Sequence, residues 1–222
     1  MSIEPMLLEI SSSGRTTQQS FKVVNDGPAP LPIEIQVSKF DLGLDGEQKL
    51  VKVADGVMVY PVQAMIPPGA SQVFRVQWIG DPAISKSESY KLSVLQVPVK
   101  PSKGESGIQI VMSFGVTVNV SPPQGTSDLV ITQAAPVTGK DGKRVASVTL
   151  KNPGNKHAYL RNATLSLTGN GWSAQLSAGE IAQKIGLGIV QPGKERRFLL
   201  PIEVPGAVSA IQASVKLQPE GR

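Results

Sequence analysis

Apolar and polar residues alternate with a period of two along most of this chain, and that period belongs to half-buried β-strands, not to helices. Ile33, Ile35 and Val37 alternate with Glu34, Gln36 and Ser38. Phe74, Val76 and Trp78 alternate with Arg75 and Gln77, and Tyr90, Leu92 and Val94 with Lys91 and Ser93. The same pattern runs through Ala163–Leu167, Phe198–Val204 and Ile211–Leu217. Turn-forming clusters separate the segments: Asn25-Asp26-Gly27-Pro28, Asp45-Gly46, Pro67-Pro68-Gly69, Asp141-Gly142, Asn152-Pro153-Gly154-Asn155 and Pro192-Gly193. With 22 glycines and 18 prolines, little room remains for long helices. Only Glu180–Ile185 has the spacing of a helical turn. The chain is therefore expected to be all-β.

Its 222 residues suit two domains of ordinary size better than one large domain. A proline-rich stretch, Ser121-Pro122-Pro123-Gln124-Gly125-Thr126, follows one strand pattern and precedes a fresh one at Asp128–Thr132. This places a first domain at 1–121, a hinge at 122–126 and a second domain at 127–222. The halves echo each other. Each has a strand, an Asn-x-Gly turn (Asn25-Asp26-Gly27, Asn152-Pro153-Gly154), then a Pro-Gly pair (Pro68-Gly69, Pro192-Gly193) leading into an aromatic strand. Two immunoglobulin-like β-sandwiches of similar plan, joined at an angle, are the expected architecture.

Composition argues against most chemistry. With no cysteine there is no disulfide framework, thiol nucleophile or cysteine zinc site, and one histidine leaves no histidine metal site. No metal and no cofactor is expected, and no enzyme. No apolar run approaches a membrane span, so no membrane insertion is expected. Met1-Ser2-Ile3-Glu4-Pro5 lacks a leader pattern, so an exported form is expected to carry its signal peptide outside this sequence. The net charge of +5 is scattered, and its densest run, Lys194-Glu195-Arg196-Arg197, reads as a solvated surface, with no nucleic-acid partner. Gly188–Lys194 imitates a phosphate-binding loop, but Glu195 replaces the required Ser or Thr and a strand pattern follows. Asp41–Gly46 imitates a calcium loop, but Gly43 and Lys52 occupy ligand positions, which leaves a hairpin turn. His157 has no nucleophile partner and is expected at the surface. Trp78 and Trp172 are expected to pack in or beside the core.

The most informative stretch is Ile108–Val120, long beside a usual strand of about 5–6 residues. Ile108, Ile110, Met112, Phe114, Val116, Val118 and Val120 share one face, and a polar loop, Pro101–Gly107, precedes them. If the strand outruns its own sheet, its first half is an exposed apolar edge. Such an edge can add a strand to a partner, with backbone bonds giving affinity and alternate side chains filling pockets.

Several segments resemble the periplasmic pilus-assembly chaperones of the chaperone–usher pathway. Val23-Val24-Asn25-Asp26-Gly27 is similar to the end of that family's strand B1. Tyr60-Pro61-Val62-Gln63 and Ile66-Pro67-Pro68-Gly69-Ala70-Ser71-Gln72-Val73-Phe74-Arg75-Val76 resemble its P-x-x-x-x-x-P-G-x-x-Q-x-x-R-V/L signature. Glu88–Leu92 through Val97-Pro98 looks like strand F1, and Ile108–Val120 before Pro122 looks like the donor strand G1. The second half matches more loosely, through Asn152-Pro153 and Gln191-Pro192-Gly193.

The resemblance implies a periplasmic chaperone that binds pilus or fimbrial subunits by donor-strand complementation and delivers them to an outer-membrane usher. It implies Ile108, Ile110, Met112 and Phe114 as donor residues, and self-association through the G1 edge when the chaperone is free. The family commonly anchors the subunit's C-terminal carboxylate with an Arg on strand A1 and a Lys on G1, but those positions hold Leu7 and Thr117. A hinge salt bridge of the family keeps Glu88 but has Ser121 at the Arg position. The pattern is closer to the archaic branch, where a basic residue follows an aromatic one on F1; here that is Tyr90-Lys91. Lys91 is the candidate carboxylate anchor and Arg75 a second. The rival expectation from another class is a structural or adhesive two-domain surface or fibre protein.

Overall fold

The computed structural model describes residues 1–53, 55–98, 111–139 and 142–218. They form two compact units, one of Met1–Phe40 with Leu50–Pro123, the other of Asp41–Lys49 with Gln124–Arg222. The strands carrying the first unit are β1 Ser2–Glu4, β2 Leu7–Ser11, β3 Gln18–Val24, β4 Leu31–Leu42, β5 Gln48–Lys52, β6 Val57–Tyr60, β7 Gln63–Ile66, β8 Ser71–Trp78, β9 Glu88–Gln96 and β10 Ser113–Ser121. One sheet has the order β1-β3-β8-β6, and the other β2-β10-β9-β4-β5 with β7 also paired to β4.

The two sheets face each other over one apolar core, so the unit is a β-sandwich. The sequence alternation sets which side faces in. On β8, Phe74 and Val76 are fully buried while Arg75 between them is exposed. Phe21 of β3 stacks on Phe74 with ring centroids 5.2 Å apart. From the second sheet, Leu92, Val94, Val116, Val118 and Val120 close the core with no exposed surface. Strand β4 departs from strict alternation. Ile33 and Ile35 point inward, then the buried set moves to Ser38, Phe40 and Leu42. The pairing to β9 runs unbroken and Val37 still packs on the core with Ile33 and Ile35, so beyond it the buried side chains lie on the other face of the strand, which a reading of Ile33, Ile35 and Val37 alone does not anticipate.

The second unit contains β11 Val130–Thr138, β12 Arg144–Lys151, β13 Ala158–Tyr159, β14 Ala163–Gly169, β15 Trp172–Leu176, β16 Ile189–Val190, β17 Glu195–Glu203 and β18 Gln212–Leu217. Its sheets are β11-β12-β17, β13-β16 and β15-β14-β18, around a core that includes Leu150, Leu165, Ile181 and Leu200. The expected helical turn is a helix, α1, over Ala178–Lys184. It starts earlier than the apolar spacing alone places it. Ser177 caps it, accepting from the Glu180 N–H while the Glu180 carboxylate accepts from the Ser177 N–H, a capping box.

The repeated turns are the same structure in both units. Asn25 follows β3; its Nδ2 donates to Ala29 O (2.8 Å) and Ile66 O (3.0 Å), and its Oδ1 accepts from Gly27 N–H (3.0 Å). Asn152 follows β12; its Nδ2 donates to Lys156 O (2.8 Å) and Val190 O (2.9 Å), and its Oδ1 accepts from Gly154 N–H (2.9 Å). The backbones match too. Asn25 O accepts from Gly69 N–H and Asn152 O from Gly193 N–H, both glycines with positive φ. One asparagine thus ties a turn to the Pro-Gly turn of the neighbouring strand in each unit.

Two sequence expectations need correction. His157 is fully buried rather than at the surface. It sits against Tyr159, ring centroids 5.0 Å apart and edge-on, so it serves as packing beside the Asn152 turn. The run Lys194–Arg197 is not merely solvated. Within the second unit, Lys194 pairs with Asp41 (2.8 Å), and Arg197 makes a two-pronged contact to Asp45 (both 2.7 Å). Arg196 lies over the Phe198 ring and donates to Ile189 O.

Candidate functional site

Strand β10 runs antiparallel to β9, from Ser113 opposite Leu95 to Val120 opposite Glu88. On its other side it pairs in parallel with β2, but only from Thr117 (opposite Leu7) to Ser121 (opposite Ser11). Over Ser113–Val116 no strand among the described residues pairs with that flank. The cause lies in the first strands. β1 pairs with β3 in the other sheet, and the chain changes sheets around Pro5, which has no N–H for a ladder. β2 therefore begins too late to cover the whole of β10. Thr117 N–H donates to Met6 O at the limit of coverage. Backbone groups repeat every second residue along a strand, so those of Gly115 and Ser113 face the same, uncovered side.

The side chains of this stretch divide in two. Val116 is fully buried, Phe114 is half-buried and packs against the core, and Met112 is half-buried. Gln96 fixes Met112 at the entrance: Gln96 N–H donates to Met112 O (3.0 Å), and Gln96 Oε1 accepts from Met112 N–H (3.3 Å). Ile108 and Ile110 lie outside the described residues.

Lys91 stands in the middle of a cross-strand row. Leu7 of β2 is opposite Thr117 of β10, Thr117 is opposite Lys91 of β9, and Lys91 is opposite Ser38 of β4. Leu7 and Thr117, the positions at which the resemblance led one to expect an anchor, thus share a row with the lysine and lie two strands and one strand away from it. Lys91 is half-buried, and its side chain has no ion pair or hydrogen bond among the described residues. Arg75 is elsewhere. It lies exposed on β8, opposite Ser20 and Tyr60, in the sheet that does not contain β10.

Glu88, opposite Val120, ends the row of pairs at the start of β9. Its cation comes from β4: Lys39 Nζ lies 2.8 Å from Glu88 Oε2. The Tyr90 hydroxyl donates to the same oxygen at 2.6 Å. Burial, then the Glu88 carboxylate, pushes the Tyr90 hydroxyl well up, so it remains a donor at any ordinary pH. Beside it, Ser89 Oγ donates to Asn119 Oδ1 (2.7 Å), and Asn119 Nδ2 donates to Glu9 (3.4 Å), joining β9, β10 and β2. Sequence reading named Lys91 and the apolar face of β10 as candidates and did not name Lys39 or Gln96, whose contacts appear only in the structure. Their partners are far away in sequence or one side chain among many.

These features meet known proteins at one point. Residues 2–125 match the model of the pili and flagellar-assembly chaperones, PapD N-terminal domain. The chain belongs to that family. The matched span holds the sandwich built from β1–β10, including the half-covered β10. No curated protein matches the chain in sequence. Among solved structures, the class 5 fimbriae chaperone CfaA is 15% identical, covering 98% of this chain and 99% of its own, with a TM-score of 0.60. A chain of the CsuC–CsuE chaperone–tip adhesion subunit complex, from the archaic chaperone-usher Csu pili of Acinetobacter baumannii, is 16% identical over 92% of both chains, with a TM-score of 0.57. A chain of the Salmonella enterica SafA pilin–SafB chaperone complex is 12% identical, covering 98% and 95%, with a TM-score of 0.58. At these identities the likeness is one of fold, and it extends the chaperone architecture over both halves of the chain.

Proposed function

We propose that this chaperone works in the periplasm, holds pilus subunits by lending them the uncovered flank of β10, and passes them to an outer-membrane usher. The observation that carries the reading is the incomplete cover of β10 by β2. A strand whose backbone groups are unpaired and whose alternate side chains are apolar is a template for another strand. Family membership and solved complexes of this fold with a pilin and with a tip subunit support it. Ile108, Ile110 and Met112 are the donor side chains in this reading, with Phe114 at the border between donated face and own core. The working division is a domain at 1–121, a hinge at 122–126 and a domain at 127–222. A free chaperone would cap the same flank with a second copy.

Lys91 is the carboxylate anchor in this scheme. A charge-assisted hydrogen bond is worth about 1.5–3 kcal/mol, or roughly tenfold or more in affinity. Lys91→Ala is expected to lower capture of the co-expressed subunit about tenfold, while Arg75→Ala, on the other sheet, leaves it unchanged. Quantifying subunit in the co-purified complex tests this; equal losses from the two variants would remove Lys91 from the role.

A further inference from the structure

Gly115 occupies a position that does not need glycine for its backbone. It is absent from the glycines with positive φ, and it sits mid-strand, opposite Ser93. Glycine weakens a strand interior and often marks a place where something approaches closely. Here that neighbour is Lys91: a Cβ built on Gly115 would lie 2.9 Å from Lys91 Cε. Lys91 has its Cα opposite Thr117, so its side chain leans along β10 by two residues, away from the covered end and onto the stretch without a β2 partner. Among the described residues no ion pair holds the Lys91 side chain, and its stem, from Cγ to Cε, passes against Gly115 of β10.

We infer that Gly115 is a positioning residue: its missing side chain is the channel through which Lys91 reaches across β10 to a terminal carboxylate on the incoming strand. The inference rests on the reading of Lys91 as anchor and adds a second residue to it. A side chain at 115 would push the ammonium off that line without touching the donated apolar face, because 115 and the even-numbered donor residues point to opposite sides of the sheet.

The test uses the co-expressed complex with two forms of the subunit, one with its native C-terminus and one with a glycine appended, which moves the carboxylate. The wild-type chaperone is expected to retain about tenfold more of the native form. Gly115→Val is expected to abolish that preference, Gly115→Ala to reduce it in part, and neither to change retention of the extended form. In a Lys91→Ala background, Gly115→Val should have no further effect, since both act through one group. If wild type retains both subunit forms equally, the anchor reading fails. If Lys91→Ala loses the preference while Gly115→Val and Gly115→Ala keep it, the anchor stands and the role of Gly115 is overturned. A loss of both subunit forms in Gly115→Val that persists without Lys91 also overturns it, since the strand itself is then affected. Should Gly115→Val fail to fold, Gly115→Ala and Gly115→Ser decide by the same comparison.

Discussion

A chaperone carrying Ile110→Asp and Met112→Asp is expected to fold as the wild type does and to recover almost no subunit on co-expression. The reasoning separates two parts of one apolar face. Val116, Val118 and Val120 are fully buried in the chaperone's own core, and a charge there would unfold it. Met112 lies before the start of β10 and is only half-buried, with its backbone already held by Gln96. Ile110 precedes Met112 by two residues in the sequence. In the complex each would bury its side chain in the subunit, a gain of about 1.5–3 kcal/mol apiece. Aspartate forfeits that gain and adds the cost of burying a carboxylate with no partner. Losing about 3–6 kcal/mol corresponds to roughly a hundredfold to ten-thousandfold in affinity. Subunit yield in the presence of each chaperone is the measurement, with the chaperone's own thermal melting as control. Wild-type recovery with an unchanged melt would show that donation does not run through these residues. Single substitutions should fall between, because part of the gross gain is offset by ordering the partner strand.

How much of this could be read beforehand depends on the range of the interaction. Period-two alternation gave the strands because side-chain direction in a strand is a local property; Arg75 between the buried Phe74 and Val76 is an instance. The family signature gave the first sandwich for the same reason, being short motifs at fixed spacing. The site was partly legible: the shared face of Met112, Phe114 and Val116 is a local pattern, and Lys91 follows an aromatic residue. What the sequence could not show is which side of β10 is left open. That depends on where β2 starts relative to Thr117, a register between segments more than a hundred residues apart. The same holds for Lys39 beside Glu88. It holds again for Asp41 and Asp45, which belong to the second unit through Lys194 and Arg197. His157 misled because a polar residue after a turn is normally exposed, and nothing nearby announces that Tyr159 shelters it.

The duplicated asparagine turns lead to the second large effect. Asn25→Ala is expected to destabilise the first unit by about 2–4 kcal/mol, and Asn152→Ala the second by as much or more. Each alanine strands two carbonyl acceptors and at least one N–H donor that the asparagine now serves, and each stranded buried group costs about 1–3 kcal/mol. The first set comprises Ala29 O, Ile66 O and Gly27 N–H, the second Lys156 O, Val190 O, Gly154 N–H and, at 3.4 Å, Asp128 N–H. Asn152 has no exposed surface and Asn25 only 3%, so water cannot readily replace the lost partners. Against a typical domain stability of about 5–15 kcal/mol the loss is large. The chain holds two tryptophans, Trp78 in the core of the first unit and Trp172 packed against the core of the second. Urea titration of the Trp172→Phe and Trp78→Phe backgrounds therefore follows one unit at a time. With a slope of about 1–3 kcal/mol per molar urea, Asn25→Ala should lower the Trp78 midpoint by about 1–2 M. The Trp172 midpoint should stay in place, and Asn152→Ala should do the reverse. A joint shift of both midpoints in either variant would mean that the two units unfold as one. Asn25→Asp separates hydrogen bonding from simple loss of volume. It nearly preserves the shape but sets a carboxylate oxygen against Ala29 O and Ile66 O, so it should destabilise at least as much as alanine.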